Sequence, residues 1–282
     1  MFTWTEQSLA WYARAAARSS FHRDLARACL DCLARTDRQG SGPGEHSGPG
    51  GNGGTTVAEF GCGPGFLARE LALVAHVRIT GLDQDAHCTA FAQAHLTPGC
   101  AGLAFEHRDV FTLPEARQWD VVLACSFGSA EELCTHFVQH ARKCVLFIVR
   151  SRQEKPLIPS QRSRKRTYAE DVAAFLRQQG CSFASVPLEL EFGQPLTDRA
   201  DARAFVRHYY SSAGLDDAAV DAFLDARLVT AGENRNGRDG NGAGDGRDAG
   251  DAGETGESGD GLYLPHTKHM VLFCLPCQSC QS

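Results

Sequence analysis

Val57-Ala58-Glu59-Phe60-Gly61-Cys62-Gly63-Pro64-Gly65-Phe66 decides the fold. A short apolar run that ends in an acid reads as a buried strand. Glycine then recurs at every second position until a helical pattern, FLARELALVA, opens at Phe66. Glycine lets the chain turn sharply and leaves bare main chain against which a ligand can lie. The helix adds N–H groups that no residue within it can satisfy. Spacing separates the ligand classes. The dinucleotide fingerprint G-x-G-x-x-G, counted from Gly61, needs its third glycine at position 66, where Phe66 stands.

Working outward, strand and helix patterns alternate. VRITGLD is a strand, AHCTAFAQAH a helix, LAFEHRDV and WDVVLACS are strands, AEELCTHFVQHAR is a helix and KCVLFIVR a strand. Such alternation predicts a parallel sheet with crossover helices on both faces. Upstream, apolar residues at helical spacing from Thr5 to Arg35 predict two helices broken at Ser19–Ser20. The pattern changes after Arg150. A helix is expected over Tyr168–Gln179, then the strand-like SFASVPLELEF, helical segments over Asp198–Ser211 and Leu215–Leu228, and a last strand over His269–Leu275. The two late strands predict an antiparallel pair at the sheet edge.

The 282 residues carry a formal net charge of −6, and 19 of the 29 glycines fall in two stretches. Gly40–Gly54 has eight glycines; Gly232–Gly261 has eleven, with eight acidic and three basic residues. Their composition reads as disordered insertion, and the remainder is formally neutral, so the overall acidity says little about a partner. Without them roughly 235 residues remain, enough for one sizeable α/β domain or two small ones. No apolar run reaches the length of a transmembrane helix, and Met1–Arg18, with Glu6, Arg14 and Arg18, does not read as a signal peptide. Most of the twelve cysteines stand singly in apolar strings, the usage of a reduced, cytoplasmic chain.

The loop E-x-G-x-G-x-G resembles the first motif of class I S-adenosylmethionine-dependent methyltransferases. Three further elements agree in order and distance: Asp83, 18 residues beyond Gly65, at the end of ITGLDQD; Asp109 in EHRDVF; and Asp120–Ser126 as the fourth motif. The resemblance implies a Rossmann-like α/β fold, a seven-stranded mixed sheet with helices on both faces. The N-terminal helices and a helical insertion before the last strand would act as a lid. It also implies S-adenosyl-L-methionine as cofactor. Glu59, Phe60, Gly61, Gly63 and Gly65 would form the cofactor loop, Asp83 with Gln84 would hold the ribose, and Asp109 with Val110 would meet the adenine.

The layout expected is N-terminal helices over 1–38, a Gly-rich insertion over 39–54, a cofactor-binding core over 55–150, its continuation with the helical insertion over 151–230, an acidic linker over 231–261, and a last strand with a Cys-rich tail over 262–282. No invariable catalytic residue exists to look for, because the cofactor supplies the reactive group. Ala124-Cys125-Ser126-Phe127 lacks the prolines of enzymes that methylate exocyclic amines of bases, and Cys125 reads as a core thiol. The segment from Glu191 through DRADARAFVRHYYS resembles the helical insertion of small-molecule methyltransferases related to ubiquinone and menaquinone biosynthesis enzymes. Acceptor-side candidates are therefore Tyr12, Ser126, His208 and Tyr210, with Tyr209 beside them, and the expected acceptor is a small molecule.

Arg150–Arg166, with seven Lys or Arg and one Glu, leaves open an RNA-modifying enzyme that uses this loop on phosphates. A non-catalytic cofactor- or metal-binding sensor is the other rival. Its one hint is Cys274-x-x-Cys277-x-x-Cys280, whose thiolates have the spacing to share a soft metal, with His266 or His269 in reach as a fourth ligand. The favoured reading of these cysteines is an incidental part of a frayed tail, whereas Cys29 and Cys32, on an apolar helix face, read as core packing.

Overall fold

Thr5 opens the first helix of the computed structural model, which describes residues 4–40, 54–74, 77–96, 99–157, 167–230 and 261–277. The Thr5 hydroxyl accepts the Ser8 N–H at 3.1 Å, and the Ser8 hydroxyl accepts the Thr5 N–H at 2.8 Å. This capping box satisfies two donors that the helix itself cannot. Helix α1 (Glu6–Arg18) ends at the extended Ser19, and α2 (Phe21–Gly40) follows, so the break lies where the sequence predicts it. Most of the two Gly-rich stretches, the basic residues 158–166 and Cys280 lie outside the described residues.

Strand β1 (Thr56–Phe60) runs parallel to β2 (Arg78–Asp83) on one side and to β4 (Trp119–Cys125) on the other. Helix α3 (Phe66–Val74) joins β1 to β2, and α4 (Ala86–Ala94) leads on to β3 (Leu103–His107). Strand β5 (Ala141–Arg150) extends the parallel set. Helix α7 (Ala169–Gln178) precedes β6 (Ala184–Glu191), and β10 (Thr267–Pro276) lies antiparallel between β5 and β6. The resulting seven-stranded order is β3-β2-β1-β4-β5-β10-β6. Chain order reverses between β1 and β4, and at such a switch point the carboxyl ends of the strands open a crevice for ligands.

The period of two in these strands splits the core into two layers. Val57, Val121, Leu123 and Ile148 face one way, against Leu25 of α2 and Leu67 of α3. Ala58, Phe60, Val122 and Phe147 face the other, against Phe137 and the Val172 and Leu176 of α7. At the opposite end of the sheet from the crevice, the Asp120 carboxylate accepts both the N–H and the hydroxyl of Thr56 at 2.9 Å, locking β1 to β4.

Two expectations are corrected. The helix read over AEELCTHFVQHAR is three pieces: α5 (Ala130–Glu132), a π-turn (Leu133–Phe137) and α6 (Val138–His140). It stops before Ala141, which pairs with Trp119 and belongs to β5. Secondly, short strands β7 (Gln194–Leu196), β8 (Val229–Thr230) and β9 (Leu262–Leu264), unforeseen, form a separate three-stranded sheet. They belong to a second compact unit, Leu157–Arg162 with Gly193–His266, which also holds α8 (Arg199–Tyr210) and α9 (Asp217–Arg227). Within it Arg199, Arg203 and Arg207 of α8 pair with Asp225, Asp221 and Asp217 of α9. The main sheet, α1 and α2 belong to the first unit.

Thr5→Ala removes the cap and is expected to lower stability by about 1 kcal/mol, seen as a lower urea midpoint at unchanged slope. An unchanged midpoint would contradict the assignment.

Candidate functional site

Alternation along β1 turns Glu59 inward with Val57, and the side chain is buried, at 3% exposure. Its carboxylate accepts the Ala68 N–H in the first turn of α3, while Oε2 has no hydrogen-bond partner. Burial pushes its pKa from the ordinary 4.5 up to about 8; the Ala68 bond opposes that rise and the charge of Asp83 adds to it. A buried acid with one idle oxygen is costly, and it fits a donor brought by a ligand.

The loop after Glu59 is strapped to the end of β2. Gly61 and Cys62 both donate their N–H to the Leu82 carbonyl, at 2.8 and 3.1 Å. Gly63 donates to Asp83 Oδ2 at 2.8 Å, and Asp85 donates to Asp83 Oδ1 at 2.8 Å. Asp85 in turn caps α4 by accepting from His87 and Cys88. The N–H groups of Gly61, Cys62 and Gly63 are thus held by β2 rather than presented to a ligand, and that of Gly65 is held by the Cys62 carbonyl. Gly65, at φ +76°, is required for a different reason: a Cβ there would lie 2.4 Å from the Phe105 ring and 3.0 Å from Ala92, where α3 packs on β3 and α4. Arg69 steadies the turn from outside, donating to the Pro64 and Gly65 carbonyls, with its guanidinium 4.4 Å above the Phe66 ring.

Beyond the loop a nearly closed cleft of about 10 Å³ is lined by Gly61, Leu82, Asp83, Gln84, Arg108, Asp109, Val110 and Phe127. Five of the residues expected to meet the cofactor therefore share one surface. Asp109 caps the short turn after β3 by accepting the Phe111 N–H at 3.0 Å. Val110 is buried, and its carbonyl accepts from His136 Nε2 at 2.8 Å. Glu59, Gly63 and Gly65 belong to the loop behind the cleft. The Phe60 side chain departs from expectation: it is fully buried on the other face of the sheet, against Trp119, Phe137 and His140, so only its main chain reaches the loop.

On the acceptor side, Tyr12 places its hydroxyl 2.9 Å from His22 Nε2, among the rings of Trp4, Phe66 and Phe192. Phe66 directly follows the glycine loop, so Tyr12 stands one layer from it. His22 is buried, and burial together with the nearby Arg69 charge pushes its pKa down to about 3, leaving a neutral ring. Ser126, directly after β4, has φ +56° and is the one non-glycine residue with positive φ among those described. His208 and Tyr210 belong to the second unit, where His208 meets Tyr209 edge-on and Tyr210 lines a hollow beside Val206 and Val220. Cys274 of β10 and Cys277, just past its end, both lie buried, one in each of the two core layers.

Sequence reading passed over His22, Arg69 and Phe127. Only His22 left a signal, a lone histidine beside Phe21 on an apolar helix face.

The Glu59 environment has a measurable consequence. Between pH 4.5 and about 8 the unfolded chain ionises this carboxyl while the folded chain keeps it protonated. The unfolded state then binds fewer protons, so the group's contribution to stability falls as pH rises through that window and is level above it. Glu59→Gln removes that slope. Relative to wild type, the variant is expected to gain about 1.4 kcal/mol per pH unit across the window, by urea denaturation at several pH values. Parallel stability profiles would contradict the burial described.

Residues 57–145 match the family model of a methyltransferase domain. No curated protein matches the chain in sequence. Among solved structures, the magnesium protoporphyrin IX methyltransferase of Synechocystis PCC 6803 with bound S-adenosylmethionine is similar at 18% identity, over 59% of this chain and 72% of that one, with a TM-score of 0.40. A phosphoethanolamine N-methyltransferase of Haemonchus contortus is similar at 12% identity, over 88% and 52%, with a TM-score of 0.42. The YcgJ protein of Bacillus subtilis is similar at 11% identity, over 79% and 92%, with a TM-score of 0.43. The match identifies residues 57–145, the stretch from β1 into β5 that carries the E-x-G-x-G-x-G loop, as a methyltransferase domain.

Proposed function

We propose that the chain transfers a methyl group to a small-molecule acceptor, with the cofactor lying from the Glu59–Gly65 loop across the cleft to Asp109. The observation that carries this reading is the buried, unpartnered Oε2 of Glu59 beside a cleft rimmed by Asp83 and Asp109. S-adenosylmethionine supplies a methyl carbon on a sulfonium, open to in-line displacement. The chain's part is to bind, align and exclude water.

In this reading Glu59 Oε2 accepts from the cofactor's amino group, which turns a costly buried acid into a satisfied one. Each oxygen of Asp83 spends one lone pair on a main-chain N–H and keeps another for the ribose hydroxyls. Gln84 stands beside the ribose, and Asp109 and Val110 meet the adenine. Tyr12 and Ser126 face the acceptor. Support for a small acceptor rather than RNA comes from the basic segment after β5. There Arg150 pairs with Glu154 at 3.3 Å and Arg152 with Asp171 at 2.7 Å, so two of its cations are already engaged.

Calorimetric titration with S-adenosylhomocysteine tests the assignment. Asp83→Ala is expected to cost roughly 1.5–3 kcal/mol of binding, tenfold or more in Kd. Wild-type affinity in the variant would overturn the role of Asp83. Methyl-tritiated S-adenosylmethionine, incubated with the protein and a fractionated cell extract, tests the acceptor. Label is expected in the small-molecule fraction, and label in RNA would overturn that part of the reading.

A further inference from the structure

The Phe127 ring rests on the bare main chain of Gly61. A Cβ built on Gly61 would meet Phe127 Cγ at 2.3 Å and Cδ2 at 2.4 Å. The same ring walls the cleft that holds Asp83 and Asp109, and that cleft encloses only about 10 Å³. Sites for ligands of cofactor size run from about 300 Å³ upward. With the ring where it is, the surface that the first glycine exposes is covered from within.

The backbone that carries the ring is held in an unusual way. Ser126 before it and Gly128 after it both have positive φ, +56° and +84°. Glycine adopts that region freely, whereas serine is strained there. The Ser126 N–H donates to the Ile148 carbonyl at 2.7 Å, so the strand is anchored up to this residue. Rotation is therefore confined to the dihedrals between Ser126 and Gly128. On its far side the ring stacks nearly parallel to Phe137, at 6.1 Å and 6°, and stands 5.9 Å from Phe111, which is 43% exposed.

We propose that Phe127 is a hinged gate on the cofactor cleft: seated on Gly61 it closes the cleft, and the cofactor enters when Ser126 leaves the left-handed region and carries the ring off the loop. This rests on the reading of the cleft as the cofactor site. Strain at Ser126 belongs to the seated state and is released on opening, so it lowers the cost of admission.

Two substitutions then act in opposite directions. Apparent affinity is the intrinsic affinity scaled by the fraction of molecules with the ring displaced. Phe127→Ala removes the ring and is expected to tighten S-adenosylhomocysteine binding roughly tenfold, as for an open state of about one molecule in ten, with faster association. Ser126→Gly relaxes the seated state. It is expected to raise the denaturation midpoint without ligand and to weaken binding several-fold. Phe127→Leu, a milder truncation, is expected to tighten binding by a smaller factor and serves if the alanine variant does not fold.

The experiment is calorimetry and stopped-flow association with S-adenosylhomocysteine on wild type and these variants. Tighter binding on truncation of Phe127, with weaker binding in Ser126→Gly, supports the gate. Unchanged or weaker binding in a folded Phe127 variant makes the ring a wall or a structural prop and overturns the gate, as does tighter binding in Ser126→Gly. Failure of the wild type to bind overturns the cofactor reading itself, which separates the two failures.

Discussion

The two main-chain bonds to the Asp83 carboxylate hold the ligand end of this sheet together. One oxygen takes the Gly63 N–H from the loop after β1, and the other takes the Asp85 N–H at the start of α4. Charge-assisted bonds of this kind are stronger than neutral ones. They fix the glycine loop against the end of β2, where the Leu82 carbonyl adds two more bonds. Everything downstream depends on that strap. It sets where α3 begins, and hence where the Ala68 N–H meets Glu59. It also sets where Phe66 stacks against Tyr12 and His22.

Glu59 works against this rigid frame. The fold holds its carboxyl away from water with one main-chain donor, and its pKa rises to about 8 as a result. Such an arrangement is poor for stability and well suited to binding, because an incoming donor recovers what burial costs. The same pattern recurs at the end of β4, where Ser126 keeps a strained φ directly beside the cleft. Two local costs at the carboxyl ends of adjacent strands mark the place where a ligand changes the balance.

Much of this was legible in the sequence because it rests on spacing. Alternating glycines after Glu59, an acid at the end of the second strand and another after the third need only local pattern to be seen. The antiparallel edge of the sheet followed from two late strand patterns, and β10 does lie between β5 and β6. What stayed hidden depends on partners far along the chain. Gly65 reads as a ligand-facing glycine until Phe105 is found 2.4 Å from where its Cβ would be. Phe60 reads as part of the loop, yet strand alternation sends its ring to the opposite layer. The strands β7, β8 and β9, of two or three residues each, are too short to carry a periodicity. The π-turn at Leu133–Phe137 interrupts a helix without any proline or glycine to announce it.

The central claim is that the loop after β1 and the ends of β2 and β3 form one cradle for an S-adenosyl ligand. Hydrogen–deuterium exchange of the full chain, with and without saturating S-adenosylhomocysteine, tests it most directly. The account predicts protection in peptides covering 57–68, 82–86 and 107–111, with little change in α8 and α9. Protection confined to α8 and α9, or none in those three peptides despite measurable binding, would contradict it.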